Sequence, residues 1–403
     1  MTDPNHQNPW ENADPMSLDQ AISDALLYGN AICKFISRNE VGATGGHQCG
    51  FYLPKSVWKI FTTHPPLKNK NFKSNVRIRW PGDMITESII TWYGIGTRSE
   101  YRLTRFGKNF PWLHESLVGS LLILIPIELN GFHAFVLESD ADIETFLSTL
   151  GMSTLGGWGV YSKNKSAFES EDDCLNRVFS NTIKNLDSFP TGRWMALEAR
   201  KAVSECSNGL NGVSSDEKLI KWMNSEYQLF RKLENKIALP LMRRDFKNVD
   251  DFIEIAATVV NRRKSRAGHS LEYHVEQLLS EANLPFDRQP SIDGKIRPDL
   301  LFPGKSAYED PSYPVSKLLI AGIKTTCKDR WRQILNEGKR IPEKHLVTLQ
   351  EGISKNQLAE MRDANVTLVV PKRFHNGYDK NTGIQLLSFE VFLGKIKKII
   401  KSS

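Results

Sequence analysis

The chain has 403 residues, 40% of them hydrophobic and 25% charged, with a formal net charge of +7. That length suits two domains, each with its own core, better than one compact fold, and the positive balance fits nucleic acid or another polyanion as partner without specifying one. The longest greasy run, LVGSLLILIPIEL, is broken by Pro126 and Glu128 and falls short of the roughly 18 apolar residues a membrane span requires, so no membrane-spanning helix is expected.

The first fifteen residues are polar and proline-rich, which reads as a disordered tail with no secretory signal. SLDQAISDALLYGNAICKFI, from Ser17, predicts a helix leading into a strand. Short alternating segments follow: QCGFYLP, VRIRWPG and SIITWYGIG. LLILIPIELNGFHAFVLES predicts two strands joined at Asn130-Gly131, residues that tolerate the positive φ of a tight hairpin. DADIETFLSTL then predicts a helix that closes a β-rich barrel or curled sheet.

From Gly151 to about Asp173 the composition turns to Gly, Ser, Asn, Lys and acidic residues, as in a mobile linker. The expected division is 1–155, a linker at 156–175, and a second domain at 176–403. The five cysteines, Cys33, Cys49, Cys174, Cys206 and Cys327, are scattered, without a CxxC pair or metal-ligand spacing, and read as reduced cytosolic thiols. A soluble, cytoplasmic protein is expected.

After the linker the periodicity becomes helical. SLEYHVEQLLSEANL places Leu271, Val275, Leu278 and Leu279 on one stripe, with Ser270 as the expected N-cap. A strand is expected over 298–302 and a fully apolar one over 318–323, then a helix from about Lys328. HLVTL, SKNQLAEMRDA, VTLVV and the C-terminal segment continue as strand, helix, strand and helix, the alternation of an α/β sheet covered by helices.

Within that half, Asp299 opens one strand, Lys324 closes the next, and Glu337 lies thirteen residues later. If the strands pair, two carboxylates and an ammonium converge at one sheet edge. Phosphodiester hydrolysis needs that set: carboxylate oxygens for a hard divalent cation such as Mg²⁺, and a lysine to orient water and hold phosphate. Asp299 and Glu337 are then the candidate metal ligands. The usual nuclease pattern also has an acid two residues before the lysine, where this chain has Gly322. His269 and His274, five apart, do not share one helical face, so zinc is not expected.

KTTCKDRWRQILNE (324–337) resembles the active-site segment of the EcoRII family of restriction endonucleases, as do VNRRKSRAGHSLE (260–272), PDLLFP (298–303) and LQEGIS (349–354). GATGGHQ (42–48) is similar to the same family near the amino terminus. The resemblance implies a catalytic domain of the PD-(D/E)xK restriction-endonuclease fold, with the second carboxylate moved from the strand to the following helix, at Glu337. Glu272 matches a further acidic position supporting the metal site. It also implies that Lys328, Asp329 and Arg330 read base edges in the major groove, cations on guanine and the carboxylate on cytosine. Arg262, Arg263, Lys264 and Arg266 are expected to clamp phosphates.

In the amino-terminal half, GTRSEYRLTRFG places Arg98, Glu100 and Arg102 on one face of a strand. The resemblance implies a B3-like pseudobarrel that binds a second copy of the target as effector, and His47, Tyr52, Arg98, Glu100 and Arg102 match its reading positions. Gly96 and Tyr101 replace two basic positions of that motif. The expectation is a Mg²⁺-dependent type II endonuclease acting as a homodimer on double-stranded DNA at a CC/GG-flanked site such as CCWGG, alongside a cognate DNA methyltransferase. A structure-specific repair nuclease of the same superfamily and a non-cleaving DNA-binding regulator remain as alternatives.

Overall fold

A computed structural model describes residues 17–44, 49–155, 157–163, 173–207 and 212–401. The chain forms two compact units, 1–169 with 351–354, and 170–350 with 355–403.

The first unit consists of α1 (Leu18–Tyr28), β1 (Asn30–Phe35), β2 (Phe51–Leu53), β3 (Phe72–Trp80), β4 (Met84–Tyr93), β5 (Glu100–Thr104), β6 (Leu121–Glu128), β7 (Gly131–Leu137), α2 (Asp140–Leu150) and β8 (Trp158–Ser162). The Ser17 hydroxyl accepts the Gln20 N–H to start α1, and Gly29, at φ 78°, ends it. The hairpin forms as expected, with Asn130 at φ 62° between β6 and β7. The eight strands run β2-β5-β4-β3-β7-β6-β1-β8, antiparallel except for β3 with β7.

The central strands are buried on both faces, which is why β6 reads as an unbroken apolar run. One face of the sheet encloses Ile32, Trp80, Trp92, Tyr101 and Leu124, and the other packs Ala31, Cys33, Ile123 and Phe135 against α1 and α2. Part of the segment expected as linker is a strand of this sheet. Trp158–Ser162 pairs antiparallel with β1 along Asn30–Lys34, and this ladder draws a Gly-containing stretch into the sheet.

The second unit opens with four helices, α3 (Asp173–Ile183), α4 (Gly192–Cys206), α5 (Ser215–Met242) and α6 (Val249–Glu281). Then come β9 (Asp287–Arg288), β10 (Leu300–Phe302), α7 (Lys305–Glu309), β11 (Leu319–Lys324), β12 (Lys344–Thr348), α8 (Lys355–Asp363), β13 (Val366–Val369), β14 (Gln385–Leu387) and α9 (Phe389–Lys401). The sheet order is β14-β13-β12-β11-β10-β9. Pairing is antiparallel from β9 to β11 and parallel from β11 to β14. Among the described residues no helix is long and apolar enough to cross a membrane.

Three expectations are corrected in this unit. Ser270 does not cap a helix, because α6 starts 21 residues earlier at an Asn248 cap and Ser270 lies buried inside it, donating to Met223 Sδ at 3.3 Å. The helix expected from Lys328 is a 3-10 helix, Arg330–Asn336, so tight a spiral that Glu337 already stands at its end. Cys174 and Cys206 are not free thiols but a disulfide joining α3 to α4, with Cα atoms 5.7 Å apart, while Cys33 and Cys49 form no disulfide.

Asp216, in the first turn of α5, accepts the N–H groups of Lys372 (3.1 Å), Phe389 (2.8 Å) and Glu390 (3.1 Å). One buried carboxylate thus ties the helical layer to both the loop after β13 and the start of α9. Asp216→Ala, which strands those three donors, is expected to cost about 3 kcal/mol, read as a lowered urea midpoint, with Asp216→Asn costing less.

Candidate active site

Asp299 sits immediately before β10, and the antiparallel pairing of Leu300 with Ala321 brings it opposite Gly322. Its Oδ2 accepts the Ile323 N–H at 2.7 Å and the Lys324 ammonium at 3.0 Å. A backbone donor and a side-chain cation therefore share one oxygen, which fixes the carboxylate at the end of β11. Asp299 and Lys324, named from sequence, are in direct contact.

Gly322 explains the departure from the usual acid-x-lysine pattern. A Cβ at 322 would fall 2.5 Å from Ile334 Cγ2, and the space above the strand belongs to the 3-10 helix. An acid at 322 has no room, and the helix that excludes it delivers Glu337 at its C-terminal end instead. Burial first, then the Asp299 charge, push the Glu337 carboxyl up to about 7, against the opposing pull of Lys324 and Lys344.

Glu337 stands in irregular backbone, so its position depends on what clamps the following turn. The buried Lys344 ammonium donates to the carbonyls of Glu337, Gly338 (2.8 Å) and Ile341 (2.6 Å), using all three of its N–H groups on one loop. From the other side, Asp293 Oδ2 accepts the Lys339 N–H at 2.9 Å and the Tyr308 hydroxyl at 2.7 Å. Gly338 lies at φ 58° with Ile320 Cδ1 2.7 Å from where a Cβ would stand, so only glycine permits the turn. Lys344, Asp293 and Gly338 went unread in the sequence; a lysine opening the short strand KHLVT was the available signal.

Glu337 Oε2 is buried without a hydrogen-bond partner. An orphaned carboxylate oxygen beside a second carboxylate suits a hard divalent cation, whose remaining ligands come from water and substrate phosphate when the protein supplies only one or two carboxylates. Among the described residues no cluster of three or more His, Cys, Asp or Glu side chains is placed to hold a metal ion.

Glu272 is close to this centre in sequence of contacts but engaged elsewhere. Its Oε2 accepts Arg288 Nη2 at 2.9 Å and Gln289 Nε2 at 3.4 Å, while the Gln289 N–H donates to the Asp299 carbonyl at 3.1 Å. It braces the strand entering the site.

The recognition candidates occupy the turn between β11 and the 3-10 helix. Lys328 is buried, its carbonyl accepting Gln357 Nε2 at 2.7 Å, whereas Asp329 is exposed and Arg330 half-exposed. Lys328, expected beside Asp329 and Arg330 as a reader of base edges, is thus the buried member of the three.

Of the cations at 262–266, all within α6, Arg262 and Arg266 are four residues apart and line one cavity, whereas Arg263 and Lys264 are turned away from them. Arg263 forks onto Glu234 (2.5 and 3.0 Å), and Arg266 packs over Tyr227 and Phe230, 5.4 and 5.3 Å from the ring centres, where burial lowers its pKa. Arg262 covers Phe189 at 4.6 Å. Lys264 is half-buried.

In the first unit, Tyr52 on β2 is the direct cross-strand partner of Arg102 on β5, whose Nε donates to Glu100 at 2.8 Å. Tyr101 and Leu103 point into the core, so Tyr52, Glu100 and Arg102 share the outer face. Arg98 lies in the loop before β5 rather than on the strand, its guanidinium 5.5 Å from the Tyr93 ring centre. His47 lies outside the described residues.

Two family models match the chain: the EcoRII C-terminal domain over residues 230–393 and the restriction endonuclease EcoRII N-terminal domain over 23–159. The type II restriction enzyme EcoRII of Escherichia coli is 32% identical over 379 residues, covering 90% of this chain and 93% of that one. The type II restriction enzyme SsoII of Shigella sonnei is 32% identical over 151 residues, 35% of this chain and 48% of that one. Solved structures of similar shape include metal-depleted Ecl18kI with uncleaved, modified DNA (TM-score 0.43, 22% identity, 56% of this chain and 84% of that one) and a PspGI–substrate DNA complex (TM-score 0.45, 12% identity, 53% and 95%). The first unit is accordingly a B3-like domain and the second a restriction-endonuclease-like α/β domain. Since one likeness runs through both halves at once, this chain belongs to the EcoRII family of type II restriction endonucleases, which are DNA-cleaving hydrolases.

Proposed function

We propose that the chain hydrolyses double-stranded DNA at a short site with outer CC and GG, CCWGG by family likeness, as a Mg²⁺-dependent homodimer of the PD-(D/E)xK type. The observation that carries this reading is the Asp299–Lys324 contact with the buried, partnerless Glu337 carboxylate coupled to it. The N-terminal unit, through Tyr52, Arg98, Glu100 and Arg102, binds a second copy of the site as effector and relieves a restraint on cleavage. His47 is the remaining reader in this proposal, and a cognate methyltransferase protects host DNA in the same cytoplasm.

Asp299 and Glu337 would hold Mg²⁺, which when bound would neutralise charge on the phosphate and lower the pKa of an attacking water. Lys324 has one donor on Asp299 and others to spare, so it orients that water and steadies the phosphate through in-line displacement. Water attacks phosphorus, the 3′ oxygen departs with a proton, and the products are a 5′-phosphate and a 3′-hydroxyl. Glu272 contributes by holding Arg288 and Gln289, and Gln289 in turn holds the Asp299 backbone. Asp329 and Arg330 read a C·G pair beside the cut, joined by Lys328 once uncovered. Arg262 and Lys264 supply phosphate contacts, with Arg263 and Arg266 joining them if DNA draws them from Glu234 and the aromatic rings.

Digestion of a plasmid bearing several CCWGG sites tests the reading. Asp299→Ala and Glu337→Gln are each expected to slow cutting on the order of 10³-fold, about 4 kcal/mol, with DNA binding retained. Wild-type protein that binds DNA without cutting it in Mg²⁺ would sink the proposal.

The raised Glu337 pKa gives a second test. Near pH 6 the carboxyl is mostly protonated, so Mg²⁺ binding must expel about one proton; well above pH 7 none remains to leave. Titration calorimetry in two buffers of different ionisation heat should differ near pH 6 and agree near pH 8.5, and Glu337→Gln should abolish the difference. Apparent Mg²⁺ affinity should rise with pH to about 7 and then level.

For recognition, Arg330→Ala is expected to lower discrimination between cognate and single-mismatch DNA by about 1–3 kcal/mol. Equal weakening on all sequences would assign Arg330 to phosphate instead.

A further inference from the structure

Tyr52, in the first unit, stands on a strand that the sheet alone holds weakly. β2 is three residues long and lies at the edge of the eight-strand order, paired with β5, where Tyr52 faces Arg102. The outer edge of such a strand needs another partner for its backbone groups. Glu40 provides it. This residue is 2% exposed in the turn after β1, and its Oε1 accepts the Tyr52 N–H at 2.6 Å.

The same carboxylate is fully engaged. Its Oε1 also accepts the Lys34 ammonium, and its Oε2 accepts the Ser37 N–H and the Ser37 hydroxyl, both at 2.8 Å. The Glu40 carbonyl takes the Gly50 N–H at 3.1 Å, so one residue grips the returning chain twice, by its backbone at Gly50 and by its side chain at Tyr52. Lys34 shares a face of β1 with the core residue Ile32, and its ammonium lies 5.5 Å from the Tyr52 ring centre. A buried ion pair is a poor source of net stability, because desolvation of the two charges offsets their attraction and apolar side chains of similar size would fill the space as well. Apolar side chains would supply neither an acceptor for the Tyr52 N–H nor a cation against its ring.

We infer that Glu40 is a positioning residue of the effector face: through the Tyr52 N–H and through Lys34 it fixes where the Tyr52 side chain stands beside Glu100 and Arg102, and so how tightly effector DNA is held. The inference rests on the effector role proposed for the first unit and adds to it a residue buried too deeply to meet DNA itself.

Cleavage of a plasmid with one CCWGG site by the full chain, stimulated by increasing amounts of a short CCWGG duplex, tests it. The variants are Glu40→Gln, whose amide has a single oxygen for the four donors, Tyr52→Ala, and the two combined. Glu40→Gln is expected to raise the duplex concentration for half-maximal stimulation about tenfold in the wild-type background. With Tyr52→Ala already present it should add less than about twofold, because a residue that acts through Tyr52 has nothing left to position. If a lost melting transition shows that Glu40→Gln fails to fold, Lys34→Met combined with Glu40→Gln, which leaves no unpaired buried charge, carries the same comparison. Losses that multiply, or a Glu40→Gln protein that responds to the duplex as wild type does, overturn the inference and leave the effector role standing. A wild type that the duplex does not stimulate overturns the effector role and this inference with it.

Discussion

Asp299 Oδ2 is the atom on which the catalytic unit turns. It takes one hydrogen bond from the β11 backbone and one from the Lys324 ammonium, so the geometry of the site is written into the pairing of two adjacent strands. Shifting that pairing by one residue would send Lys324 to the opposite face and dissolve the contact. Most of the surrounding architecture keeps the register: β10 and β11 are wholly apolar apart from the lysine, buried on both sides, and fixed by neighbours that pair with them in turn.

Glu337 follows from the same constraint by a different route. The carboxylate is displaced from the strand because the 3-10 helix packs Ile334 onto Gly322, and the helix then presents the acid from its own end. A group delivered on irregular backbone needs external support, and this chain supplies it with a buried lysine saturated by three carbonyls and an aspartate that binds the loop from outside. The buried ammonium has a cost in desolvation, visible in its lowered pKa, that its three hydrogen bonds and the nearby Glu337 and Asp293 charges offset. Rigid placement of a single carboxylate is what that expenditure secures.

The helical layer shows how similar basic residues acquire different work. Arg263 closes on Glu234, Arg266 sits over aromatic rings, and Arg200 donates toward His274, whose other ring nitrogen lies 2.9 Å from Glu226. Burial keeps His274 below its ordinary pKa, so the network stays assembled around a neutral imidazole. These groups lock α4, α5 and α6 together.

Much of this was legible in residue order. The β6–β7 hairpin announced itself by Asn130-Gly131 between apolar runs, the α/β alternation after β9 by its changing period, and Asp299 and Lys324 by their places at strand ends, while Glu337 was picked out by family resemblance. Local rules suffice there because turns, periodicity and caps act within a few residues. What remained hidden depends on distant partners. That β8 joins a sheet through β1, that Cys174 meets Cys206, that Ser270 lies mid-helix, that Lys328 is buried and Arg263 spoken for, are all settled by residues far along the chain. The sequence by itself determined which groups could do the chemistry; the tertiary structure decided which were brought together and which were engaged elsewhere, because burial and pairing are properties of contacts and not of composition.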